Sequence, residues 1–125
     1  MASVKSTKPP NSIIPTPDDS DDVKKSEEKI SKFCKDGGKI LELLDMILIC
    51  LRDRWKKGGI RATVYDTIFI DLVFFDDASM GFSILIEICN GVCKITARCS
   101  HHPVDKIDLQ DALIWFNEIV SDQVK

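Results

Sequence analysis

The chain has no long hydrophobic run: its longest uninterrupted apolar stretch is the six residues Met46 to Leu51, against the roughly 20 needed to span a bilayer. The N-terminus runs from Met1-Ala2-Ser3-Val4-Lys5 into Lys8-Pro9-Pro10 without an apolar segment, so a secretory signal is not expected. A basic excess is missing too. Seventeen Lys and Arg stand against 20 Asp and Glu, a formal net charge of −3, which argues against a general nucleic-acid binder. From Ala62 to Cys93 there is no Lys or Arg at all, while Asp66, Asp71, Asp76, Asp77 and Glu87 fall there. Gly37-Gly38 and Gly58-Gly59 lack the spacing and the Lys-Ser/Thr pair of a phosphate loop.

What remains is a 125-residue chain, 44% apolar and 30% charged, enough for one domain. Residues 1–29 hold four of the five prolines, seven Ser or Thr and six apolar residues, and read as a disordered N-terminal tail ahead of a domain at 30–125. Thr16-Pro17 beside Asp18-Asp19-Ser20-Asp21-Asp22 marks Thr16 as a candidate phosphosite.

Asp36-Gly37-Gly38 separates a short lead-in helix from a stronger one. In the latter Ile40, Leu44, Ile47, Leu48, Leu51 and Trp55 share one face, and Gly58-Gly59 follows its basic end. Alternation then predicts strands over Ile60–Val64, Ile68–Phe74, Phe82–Cys89 and Val92–Cys99, with Asn90-Gly91 as a type I′ turn. A closing helix is expected from Lys106 to Ser121, capped by Asp105 or Asp108. The fold class is therefore α+β: helix, antiparallel meander of three to four strands, C-terminal helix, with the helices on one sheet face.

A two-residue turn at Asn90-Gly91 sets Cys89 opposite Val92, Ile88 opposite Cys93 and Glu87 opposite Lys94. Cys89 then lies on the other face from Cys93 and Cys99, so these thiols with His101 and His102 do not make a zinc site. Neither a catalytic constellation nor a cofactor motif or small-molecule substrate site is expected. Five cysteines without a paired spacing suit reduced thiols, hence an intracellular chain, cytoplasmic or nuclear.

The stronger helix is apolar over about 220° of its wheel, wider than one sheet face uses. Leu43, Met46 and Cys50 flank its stripe and Ile49 lies among its charges; Phe69, Val73 and Phe75 add apolar area on the second sheet face, and Ile114 and Trp115 lie off the last helix's stripe. These nine residues are the candidate protein-interaction surface of a homo- or heterodimeric adaptor. The alternative is a nucleic-acid-associated subunit using the cluster Arg52, Arg54, Lys56, Lys57 and Arg61 around Trp55.

The order of helix, four-strand meander, Pro103 and closing helix over residues 40–125 resembles the RWD-type globular domains of kinetochore subunits. That resemblance implies a non-catalytic domain that heterodimerises. Residues 40–122 also resemble the Alu-domain pair of the signal recognition particle, which implies heterodimerisation and RNA binding through basic sheet residues. Those basic residues are absent here from Ala62 to Cys93.

Overall fold

The alternating residues form four long antiparallel strands in a computed structural model, which describes residues 14–15, 21–66, 68–76, 80–99 and 103–124. They are β2 (Gly58–Asp66), β3 (Phe69–Asp76), β4 (Met80–Cys89) and β5 (Val92–Cys99), joined at the β5 side by the two-residue β1 (Ile14–Pro15). The order across the sheet is β1-β5-β4-β3-β2. Among the described residues three helices complete the fold: α1 (Asp21–Lys35), α2 (Ile40–Arg54) and α3 (Pro103–Gln123). Among the described residues no helix is long and apolar enough to cross a membrane.

The expected hairpin forms in the expected register, with Cys89 opposite Val92, Ile88 opposite Cys93 and Glu87 opposite Lys94. Asn90 has φ 53° and Gly91 φ 78°, the pair of positive values that a type I′ turn requires. A Cβ on Gly91 would meet the Lys35 Cγ at 3.4 Å, an ordinary contact, so strain there is conformational rather than steric. Gly91→Val is accordingly expected to cost about 1–3 kcal/mol, read as a lower denaturant midpoint; an unchanged midpoint would contradict the turn assignment.

One sheet face is dry. Ile70, Leu72, Phe74 and Ile84 are fully buried against Ile30 of α1, Ile47 and Leu51 of α2, and Ala112, Phe116 and Val120 of α3, all in one cluster. At one end of that cluster Trp55 stands edge-on to Phe74 and Phe82, at 5.6 and 5.5 Å, while those two rings stack at 4.5 Å. The Trp55 indole also donates to the Phe75 carbonyl at 3.1 Å, so its polar end is satisfied inside the core.

Two expectations move. The tail does not extend to residue 29, because α1 begins at Asp21 and buries Ser26 and Ile30. Its attachment adds to Val23, Ile30, Phe33 and Cys34, packed on the core, a set of polar contacts that composition could not reveal: Ser26 donates to Asn117 Oδ1 at 3.0 Å, while Glu27 Oε2 and Ser31 Oγ accept the backbone N–H groups of Ile95 and Cys93 at 2.7 and 2.8 Å. Gly37 at φ 90° then ends α1, with the Gly38 N–H returning to the Phe33 carbonyl in a Schellman closure. The last helix, α3, is longer than expected at both ends, so Asp105 and Asp108 lie within it rather than capping it. Thr16, His101 and His102 lie outside the described residues.

Candidate protein-docking surface

Because a strand alternates its side chains, every residue skipped by the core emerges on the sheet's second face. The ladders align these residues in rows. Arg61, Val73, Ser83 and Arg98 form one; Thr63, Asp71, Leu85 and Thr96 the next; Phe69, Glu87 and Lys94 a third. Tyr65 adds its ring edge-on to Phe69 at 5.5 Å, and the Phe75 ring lies over Gly59, where a Cβ would come within 2.7 Å of it. All three helices contribute their buried residues to the opposite side. Among the described residues, no helix covers this face.

Phe69, Val73, Phe75 and Leu85 are each half-buried there. Between them, at the centre of the middle row, stands Asp71. Its Oδ1 is buried and, among the described residues, has no hydrogen-bond partner. Desolvation raises the Asp71 carboxyl above its ordinary pKa, and the Arg98 and Arg61 guanidiniums in the adjacent row offset that only in part. A buried carboxylate oxygen without a hydrogen bond is a cost to the fold that the two guanidiniums only partly repay.

Of the expected interaction residues, Phe69, Val73 and Phe75 fall together on this face. Leu43 does not belong to a surface: it is 5% exposed, in the core. Met46, Ile49 and Ile114 are exposed on the helices, whereas Cys50 and Trp115 are half-buried and pack against the core. The wide apolar arc of α2 has an internal cause, since the helix packs against α1, α3 and β2 at once.

The basic cluster does not form one patch. Arg54 pairs with Glu118 at 2.6 Å and Lys57 with Asp108 at 2.8 Å, both acids on α3; Arg52 reaches the Ile60 carbonyl at 3.4 Å, Lys56 is exposed and Arg61 belongs to the open face. The aromatic that would have served it as a stacking platform, Trp55, is buried.

The thiols divide as the register requires. Cys89 is exposed on one face; Cys93 and Cys99 are buried on the other, where burial pushes Cys93 up to about 12 and also raises Cys99. Among the described residues no group of three His, Cys, Asp or Glu is placed to hold a metal. A hollow of about 500 Å³ beside α1 includes Glu27, Ser31, Lys32 and Asp36 in its wall. Those polar groups are already engaged, the first two with β5 and the others with each other at 2.9 Å.

Asp71, Tyr65 and Leu85 were not among the expected site residues. The signal for Asp71 was present: it occupies the same alternating position as Phe69, Val73 and Phe75. No protein-family model, curated protein or solved structure matches this chain.

Proposed function

We propose that this chain is a non-catalytic protein-interaction module, an adaptor working as a homo- or heterodimer, that docks a protein partner on the open face of its sheet. The observation carrying this reading is the Asp71 carboxylate, one oxygen of which has no hydrogen-bond partner among the described residues, on a helix-free face where Phe69, Val73, Phe75 and Leu85 stand among charged and polar side chains. A polar group that weakens the fold is expected where function needs it. A partner side chain bearing N–H or O–H donors, such as Lys, Arg or Tyr, would complete its hydrogen bonding while burying Phe69, Val73 and Phe75. Phosphate backbones suit the face poorly, because Asp71 and Glu87 lie between its cations. Five free thiols fit a reducing compartment, so the partner is sought in the cytoplasm or nucleus. The resemblance to RWD-type domains points to the same class of function.

Asp71→Asn tests the reading. A carboxyl whose folded pKa is raised binds its proton more tightly folded than unfolded; its contribution to stability is present below the unfolded pKa of about 4 and lost as pH rises through the folded value. The amide is therefore expected to raise the thermal midpoint at pH 7, with the difference closing as pH falls below about 4. The same variant should weaken a partner cross-linked to the wild-type face by about tenfold, the loss of one charge-assisted hydrogen bond. A lower midpoint at pH 7 would make Asp71 a structural residue, and unchanged partner affinity would remove it from the interface.

A further inference from the structure

The two edges of the sheet are treated differently. On β5 the outward N–H groups of Cys93 and Ile95 are taken by Ser31 and Glu27 of α1, and the Cys99 end pairs with β1. The direction of the β2 groups follows from one hydrogen bond. The Ile88 N–H donates to the Ile68 carbonyl at 2.9 Å, so residues 68, 70, 72 and 74 turn toward β4, and 71, 73 and 75 toward β2. Their partners Thr63, Arg61 and Gly59 are thereby used, leaving Ile60, Ala62 and Val64 with backbone groups aimed out of the sheet. Only the Ile60 carbonyl has a partner among the described residues, the Arg52 guanidinium at 3.4 Å, near the limit for a hydrogen bond and leaving one lone pair free.

Such an edge is normally blunted by proline, several charges or a short strand. β2 is nine residues long, has no proline, and carries Arg61 as its one cation and Asp66 as its one acid. Its core-side row runs from buried Ile60 through half-buried Ala62 to Val64, which is 42% exposed, so an apolar row ends in water at the sheet's rim.

We propose that the β2 edge is the dimerisation surface of this chain and that its occupant is β2 of a second copy, paired antiparallel about a two-fold axis at Ala62. This rests on reading the chain as an interaction module and specifies one partner of it, at a surface separate from the open face. The register follows from self-complementarity. With the axis at Ala62, all three outward residues find outward partners: Ala62 meets Ala62 of the second copy, and Ile60 meets Val64 twice, extending the apolar row across the junction. Arg61 then faces Thr63. An axis at Arg61 would oppose two guanidiniums, and one at Thr63 would set Ile60 against Asp66. The pairing makes one continuous sheet and places two open faces, each with its Asp71, side by side.

Sedimentation of the full chain at about 50 μM tests this, a concentration at which all but weak self-association shows. Wild type is expected at twice the 14.1 kDa chain mass. Ala62→Pro removes an outward N–H that the β2–β3 ladder does not use, and proline is tolerated at such edge positions. It should sediment as a single chain with unchanged circular dichroism. Val64→Lys, at a position already 42% exposed, provides the second variant should the proline unfold the chain, and should weaken the dimer at least tenfold. Single-chain wild type overturns the proposal, as does a dimer that persists in a folded Ala62→Pro or is unmoved by Val64→Lys. Single-chain wild type whose partner binding responds to Val64→Lys would assign the edge to a foreign strand. Single-chain wild type whose partner binding responds to Asp71→Asn would sink the edge dimer and leave the open face standing.

Discussion

Trp55→Ala is expected to remove about 3–5 kcal/mol, the range for deleting a large buried aromatic. The side chain is 5% exposed and joins the end of α2 to two adjacent strands through Phe74 and Phe82. Its loss leaves a cavity beside a stacked ring pair and removes the indole N–H bond to the Phe75 carbonyl. Domains of this size hold about 5–15 kcal/mol in total, so the variant should be close to unfolded in mild denaturant. Trp55→Phe keeps most of the packing and is expected to lose about 1 kcal/mol for the missing hydrogen bond. Urea titration followed by circular dichroism separates these cases. A loss under 1 kcal/mol for Trp55→Ala would mean that α2 is not anchored there.

Removing residues 1–29 is the second large effect. The cut takes Ser26 from its contact with Asn117 and takes Glu27 from the Ile95 N–H, leaving a covered strand donor without its acceptor. A lost hydrogen bond to a charged group is worth about 1.5–3 kcal/mol. With the remaining six residues of α1 too few to hold a helix by themselves, the total loss should be about 3 kcal/mol or more. At about 4–8 °C per kcal/mol for a chain of this size, the thermal midpoint should fall by more than 10 °C. A truncated chain melting within a few degrees of wild type would show α1 to be dispensable.

The sheet was legible because its information is local. Ile70, Leu72 and Phe74 alternate with Phe69, Asp71 and Val73, and Asn90-Gly91 fixes the neighbouring register without any distant contact. Long-range pairing was hidden. Lys57 and Arg54 looked like a basic cluster because Asp108 and Glu118 lie 51 and 64 residues further on. The excess apolar arc of α2 suggested a partner for Leu43, whereas its own chain surrounds that residue. The docking of α1 joins an apolar stripe, Val23, Ile30, Phe33 and Cys34, to polar contacts through Ser26, Glu27 and Ser31, and only the polar part has no hydrophobic signature to read. Half of the candidate surface, Phe69, Val73 and Phe75, was visible as apolar residues with no core to fill. The feature giving it direction, Asp71, was visible only as a charge until its oxygen proved dry.

The polar contacts of α1 also fit the order in which the chain is made. Ser31 and Glu27 precede their partners Cys93 and Ile95 by 62 and 68 residues. At roughly 5–20 residues per second, α1 leaves the ribosome about 3–14 s before the strand it will cover exists. A wholly apolar helix exposed for that interval would invite misassociation, whereas α1 has only Val23, Ile30, Phe33 and Cys34 to hide among Ser, Glu, Asp and Lys. β5, by contrast, is the last strand synthesised. It emerges to find its cover already waiting, so the exposed interval falls on the segment best able to bear it.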